Sequence, residues 1–191
     1  MLHPEYPLRT ERLELRPLTL DDVEAVHEYQ SREDVCRYIP YEPRTREVIA
    51  DRITNGPMKA AITEAGQALG LGVTLAGSNH VIGDLMLAWH SKEHMGGEIG
   101  YVINPEYSGQ GYATEACRAL LPLAFDGLRL HRLVGRVDAR NIASCNVLRR
   151  LGFRQEALFV ENEWFKGEWT DEIDFGLLAR EWRAAVQPPA G

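Results

Sequence analysis

The chain of 191 residues suits one domain with a sizeable core. An apolar share of 45% with 26% charged residues is that of a globular protein rather than a membrane or disordered one, and a formal net charge of -7 argues against general nucleic-acid binding and favours cationic partners. Three cysteines, Cys36, Cys117 and Cys145, show no CxxC spacing, so they read as free thiols and not as a disulfide frame or a zinc site.

The opening MLHPEYPLRTERLEL lacks an apolar signal region, and no apolar run approaches a membrane span, so a cytoplasmic location without metal, membrane or nucleic-acid partners is expected. RLELRPL (12–18) alternates apolar and polar residues and predicts a strand. Thr19 caps a helix running to about Gln30, with Asp21 and Asp22 suited to its first turn. A second helix is predicted from Thr45 towards Gly56–Pro57, resuming to Leu69. LGLGVTLA and HVIGDLMLAW flank GSN as a hairpin, and GEIGYVIN (97–104) is the next strand. Ala113, Cys117, Leu120, Ala124 and Leu128 form one apolar helix face, interrupted by Pro122, which should kink the helix or cost it a hydrogen bond. RLVGRVDA (132–139) is a strand, and Asn141 caps a short helix stopped by Gly152. Strands around 154–165 and 169–179 follow, joined at Lys166–Gly167. The expected division is a single domain over 1–183 and a disordered tail over 184–191.

YSGQGYATEA (107–116) lies between a strand and a helix start. Such a helix N-terminus offers free N–H groups and positive potential, and Gly109 and Gly111 let an anion approach the backbone closely. The stretch is therefore either a pyrophosphate cradle or an ordinary glycine-rich connection. It is not a P-loop, since no Lys follows the glycines, and it fits the dinucleotide fingerprint badly, since Thr114 stands at the third glycine position.

SGQGYA resembles the Q/R-x-x-G-x-G/A signature of the GNAT N-acetyltransferase superfamily, with Ser108 at the Gln/Arg position, Gly111 at the fixed glycine and Ala113 at the last. Together with RTERLELRPLTLDD, GYATEA, N-x-x-S, GF and G-x-W-x-D in that order, the chain from residue 8 to 182 is similar to the ribosomal-protein N-acetyltransferase (RimJ/RimL) branch. The resemblance implies the α/β GNAT fold, a mixed sheet of about seven strands flanked by about four helices. It implies acetyl-CoA as cosubstrate and a primary-amine acceptor, a small molecule or a protein N-terminus, attacked directly in a ternary complex by a monomer or homodimer. The cofactor-binding positions it implies are Tyr101, Val102 and Ile103 along the pantetheine arm, Ser108, Gly109, Gln110, Gly111, Tyr112, Ala113 and Thr114 at the pyrophosphate, and Asn141. Asn141 is equally a helix cap. The tyrosine that many relatives use to protonate the thiolate is replaced by Leu148; Ser144 matches the branch's serine, a hydrogen-bond donor to the sulfur or only a residue of the helix start. Glu98, at the start of the cofactor strand, is the candidate base, against the alternative of a surface-edge carboxylate, with Asp84 next. Tyr38, Trp89, His90 and Trp164 are weaker acceptor-side candidates. The competing reading is an acyl-CoA-binding sensor or scaffold without turnover.

Overall fold

The computed structural model describes residues 1–186. A nine-stranded mixed sheet carries helices on both faces. Its strands are β1 (Leu8–Arg9), β2 (Leu13–Arg16), β3 (Met58–Lys59), β4 (Ala68–Leu75), β5 (Val81–Ser91), β6 (Gly96–Ile103), β7 (Arg132–Asp138), β8 (Arg154–Phe165) and β9 (Glu168–Leu178), in the order β1-β2-β4-β5-β6-β7-β9-β8, with β3 beside β4. The helices are α1 (Val23–Gln30), α2 (Glu33–Cys36), α3 (Arg46–Asn55), α4 (Tyr112–Pro122), α5 (Ile142–Arg150) and α6 (Ala179–Val186). Seven of these strands are those expected; β1 and β3 are two-residue pairings, too short to show a period in sequence.

The alternation in β2 does what it predicts: Leu13 and Leu15 are fully buried while Glu14 and Arg16 face outward. The same alternation in β6 assigns its two faces. Ile99, Tyr101 and Ile103 pack into the main core with α4 and α5, and Val102 packs into the smaller cluster of Ala25, Val26, Tyr29, Ile49 and Val81 under α1 and α3.

Two expectations need correction, and a third is met in a particular form. The second helix does not resume towards Leu69: α3 ends at Asn55, Pro57 cannot donate to a continued ladder, and the chain turns to β3 and then β4. As expected, Pro122 costs α4 a hydrogen bond, since it has no N–H to donate; the helix still runs through it into a π turn over Leu123–Gly127, closed by Leu128 N–H to the Leu123 carbonyl at 2.9 Å. The predicted tail begins inside α6, whose Trp182 stacks on Phe125 with centroids 5.2 Å apart; residues 187–191 lie outside the described residues.

At the entry to α1, the Asp22 carboxylate accepts from both ends of the Arg16 fork (2.7 and 2.8 Å) and from Thr19 N–H at 2.7 Å. Burial alone would raise its pKa, but the hydrogen bonds from Arg16 and Thr19 outweigh that and hold it below the usual value. Its stabilisation is therefore complete above the unfolded carboxylate range, about 3.9, and is lost as pH falls through the lower folded value. Asp22→Asn should cost about 2 kcal/mol at pH 7. Urea midpoints at pH 7 and pH 3 check this. The gap between wild type and variant should narrow at pH 3, and an equal gap at both would refute the ion pair's contribution.

Candidate active site

β6 pairs with β5 along its whole length, from Gly96↔Ser91 to Ile103↔Gly83. β7 pairs with β6 only at Gly96↔Arg132, Gly97↔Leu133 and Glu98↔Val134. Beyond Glu98 the two parallel strands part, and the β7-side edge of β6 keeps free backbone donors and acceptors. A cleft of about 1600 Å³ opens along that edge. This exceeds the space most small ligands need and suits an extended one. Tyr101, Val102 and Ile103 line one side, the first turns of α5 the other, and residues 108–114 the end.

The end of the cleft is built around two left-handed glycines. Asn104 closes β6 and accepts Glu106 N–H at 3.1 Å, a short turn over Pro105–Tyr107 follows, and Gly109 and Gly111 stand at φ 78° and 83°. α4 then starts at Tyr112 with no side-chain cap. The N–H groups of its first turn have no partner within the helix. A Cβ on Gly109 would meet nothing within 4 Å, and one on Gly111 only the Arg12 guanidinium at 3.6 Å, so packing does not demand either glycine. The positive φ and open access to the N–H groups do. Thr114, 8% exposed, carries a buried hydroxyl without a partner among the described residues. An oxyanion seated on this turn is the occupant these groups fit.

Arg12 was not legible as a site residue. Its Nε donates to Glu115 at 2.7 Å, its Nη1 to the Gln110 carbonyl at 3.1 Å, and its guanidinium lies over the Tyr112 ring at 4.7 Å. Thr10 Oγ1 and Arg12 N–H also donate to Glu115, at 2.6 and 2.9 Å. Burial would raise the Glu115 pKa, yet these donors keep it low, so it stays an anion bracing the loop. Arg9, Arg118 and Arg150 line the same cleft. A chain that is acidic overall thus gathers cations where an anion would sit.

At the other side, Asn141 caps α5, its Oδ1 accepting Ser144 N–H at 3.0 Å. The cap uses only the carbonyl oxygen, so the amide nitrogen remains for the cleft. Ser144 lines the cleft, with its Oγ 2.8 Å and its carbonyl oxygen 3.0 Å from the Tyr101 hydroxyl. Burial raises the Tyr101 phenol well above its ordinary value, so it stays protonated. The family resemblance implies only a backbone role for Tyr101; its side-chain pairing with Ser144 spans 43 positions and leaves no local signal in sequence. Leu148 is 1% exposed, packs beside Gly135 and does not line the cleft. Cys36, Cys117 and Cys145 are free and buried, and burial raises each thiol, so none offers a ready thiolate.

Glu98 does not line the cleft. It sits at the last paired position before the strands part, on the face of β6 shared with Gly100 and Val102. Its Oε2 is 2.9 Å from His90 Nε2 and 3.1 Å from Arg136 Nη1. Asp84 lies opposite Val102 on the same face, where Tyr29 OH and Gln30 Nε2 donate to its Oδ2 at 2.7 and 2.9 Å, and burial raises its pKa. Tyr38 lines the cleft, with Arg37 and Arg140 over its ring. Trp89 packs against the core, and Trp164 is exposed in an edge contact with Trp169. Lys166, at the β8–β9 turn, donates to the Cys36 and Tyr41 carbonyls at 2.6 and 2.9 Å and ties that turn to the segment after α2.

The acetyltransferase (GNAT) domain family matches residues 12–154. The uncharacterized N-acetyltransferase YnaD of Bacillus subtilis (strain 168) is 33% identical over 177 residues, covering 92% of this chain and 98% of its own. The spermidine N(1)-acetyltransferase of Escherichia coli (strain K12) is 27% identical over 183 residues, covering 93% and 91%. A solved acetyltransferase (GNAT family) from Bacillus anthracis superposes with a TM-score of 0.80 at 32% identity, over 94% of this chain and 99% of that one. Among the described residues no helix is long and apolar enough to cross a membrane.

Proposed function

The chain belongs to the GNAT acetyltransferase family and is an acetyl-CoA-dependent N-acetyltransferase, and we propose that it acetylates a primary amine by direct attack in a ternary complex, as a member of the ribosomal-protein N-acetyltransferase branch. The observation that carries this reading is the free β6 edge running from the fork at Glu98 into the uncapped start of α4. Bound there, acetyl-CoA supplies an activated acetyl thioester.

The chain's own groups then have separable tasks. The N–H groups of residues 109–114 and the Arg12 guanidinium hold the pyrophosphate, and the backbone of Tyr101–Ile103 with the Asn141 amide aligns the pantetheine arm. Ser144 Oγ–H donates to the sulfur as the carbon–sulfur bond breaks, which stabilises the thiolate. Glu98, beside the fork and on the face away from α4, takes the proton released by the amine through a water. The acceptor is a protein N-terminal α-amine, as the branch motifs suggest, or a small-molecule amine, as the similarity to a spermidine acetyltransferase suggests. Free-thiol release with a panel containing spermidine, an α-amine peptide and simple amines tests the proposal and separates the two. Tight acetyl-CoA binding with no amine-dependent thiol release would overturn it in favour of a sensor.

Ser144→Ala should lower kcat by about tenfold with little change in KM for acetyl-CoA, the signature of a contact made in the transition state. The alanine keeps the backbone N–H that Asn141 caps, so the thermal midpoint should hold. A lowered midpoint with unchanged kcat would assign Ser144 to the helix start alone.

A further inference from the structure

We infer that Tyr101 is a positioning residue for the leaving thiolate: its hydroxyl sets which way the Ser144 hydroxyl points. The inference rests on the role given to Ser144 above.

The geometry leaves few choices. The Tyr101 oxygen lies 3.0 Å from the Ser144 carbonyl oxygen and 2.8 Å from Ser144 Oγ. The phenol has one proton and the carbonyl can only accept. In one arrangement Tyr101 donates to the carbonyl, and Ser144 spends its own proton on the Tyr101 oxygen. Ser144 then presents only lone pairs to the cleft and would repel a thiolate. In the other arrangement Tyr101 donates to Ser144 Oγ, and the serine proton turns into the cleft. The two differ by the rotation of two hydroxyl hydrogens and require no heavy-atom movement. Negative charge on the sulfur disfavours the first and turns the serine proton into the cleft, and the second does so while keeping the hydrogen bond between the two hydroxyls. The phenol then polarises the serine hydroxyl through a two-bond chain.

Burial fits this task. Tyr101 is held against the main core with its hydroxyl at the cleft wall, and it keeps its proton across the working pH range. It acts as a permanent donor and not as an acid: the amine nitrogen forms its bond to the acetyl carbon, the carbon–sulfur bond breaks, the electron pair stays on sulfur, and no proton need leave the phenol. Leu148 cannot supply such a donor.

The test uses wild type, Tyr101→Phe, Ser144→Ala and the double variant. One readout is kcat. The other needs no turnover: the pH at which bound CoA ionises, followed by thiolate ultraviolet absorbance, with desulfo-CoA as the blank. Tyr101→Phe keeps the ring and its packing. It should lower kcat by about tenfold, raise the bound thiol's ionisation by about one pH unit, and leave desulfo-CoA affinity unchanged. Adding Ser144→Ala should bring no further loss, because both act through one hydroxyl. If Tyr101→Phe matches wild type while Ser144→Ala loses activity, or if the two losses add, the positioning role is overturned and the Ser144 role stands. If Ser144→Ala alone changes neither readout, the Ser144 role falls, and this inference with it.

Discussion

Gly111→Val is expected to weaken acetyl-CoA binding by more than about tenfold, with far-ultraviolet circular dichroism close to wild type. Gly111 holds φ 83°, where a β-branched residue costs about 1–3 kcal/mol of local strain. That strain falls on a loop preceding α4, not on the sheet. The larger effect is occlusion. The valine Cβ would project towards Arg12 Nη2, 3.6 Å away, and otherwise into the cleft, across the first-turn N–H groups. Gly66 is the control. Its φ of 94° is as strained, a Cβ there meets nothing within 4 Å, and it does not line the cleft. Gly66→Val should therefore lower stability to a similar degree while binding acetyl-CoA normally. Calorimetric titration of both variants decides between strain and occlusion. Wild-type affinity in folded Gly111→Val would refute the cradle.

Glu98→Gln is expected to lower kcat by about a hundredfold and to flatten the acidic limb of the pH–rate profile. The amide is isosteric and can still meet His90, so the fork should keep its shape. What is lost is the ability to accept the amine's proton, together with half of the charge balance around Arg136, which also lies 3.7 Å from Asp174. Arg136→Gln separates these contributions. It removes the ion pair and leaves the carboxylate, so its activity loss should be small beside that of Glu98→Gln. If both variants lose activity equally, Glu98 acts by holding the charge cluster together. If only the KM for the amine rises in Glu98→Gln, it anchors the acceptor. Neither outcome is compatible with Glu98 as the base, and Asp84, on the same face of the sheet, is then the next carboxylate to replace.

The elements that follow from local rules were legible. Leu13 and Leu15 against Glu14 and Arg16 show the period of a strand, and Cys117, Leu120 and Ala124 show that of a helix, because side-chain direction repeats with backbone geometry. The glycine-rich turn was legible for the same reason. Gly109, Gly111 and the α4 start are consecutive, and their φ values and free N–H groups depend on a few neighbouring residues. Asn141 likewise caps the helix that follows it through an N–H only three residues away.

The partners of those elements were not legible. Arg12 reaches Glu115 across 103 positions, Arg136 reaches Glu98 across 38, and Lys166 reaches Cys36 across 130. No periodicity encodes such pairs; each exists because the sheet order brings β2 beside α4, β7 beside β6, and the β8–β9 turn over α2. Local patterns alone give a mixed α/β chain with a glycine-rich turn, open to an anion, after its fourth predicted strand. Long-range packing sets the rest: β6 and β7 part after Glu98, His90 and Arg136 clamp Glu98 outside the cleft, and Ser144 shares its hydroxyl with Tyr101. The physical reason is one of range. Backbone geometry acts over a few residues, whereas a site is assembled by packing, which joins surfaces without regard to their separation along the chain.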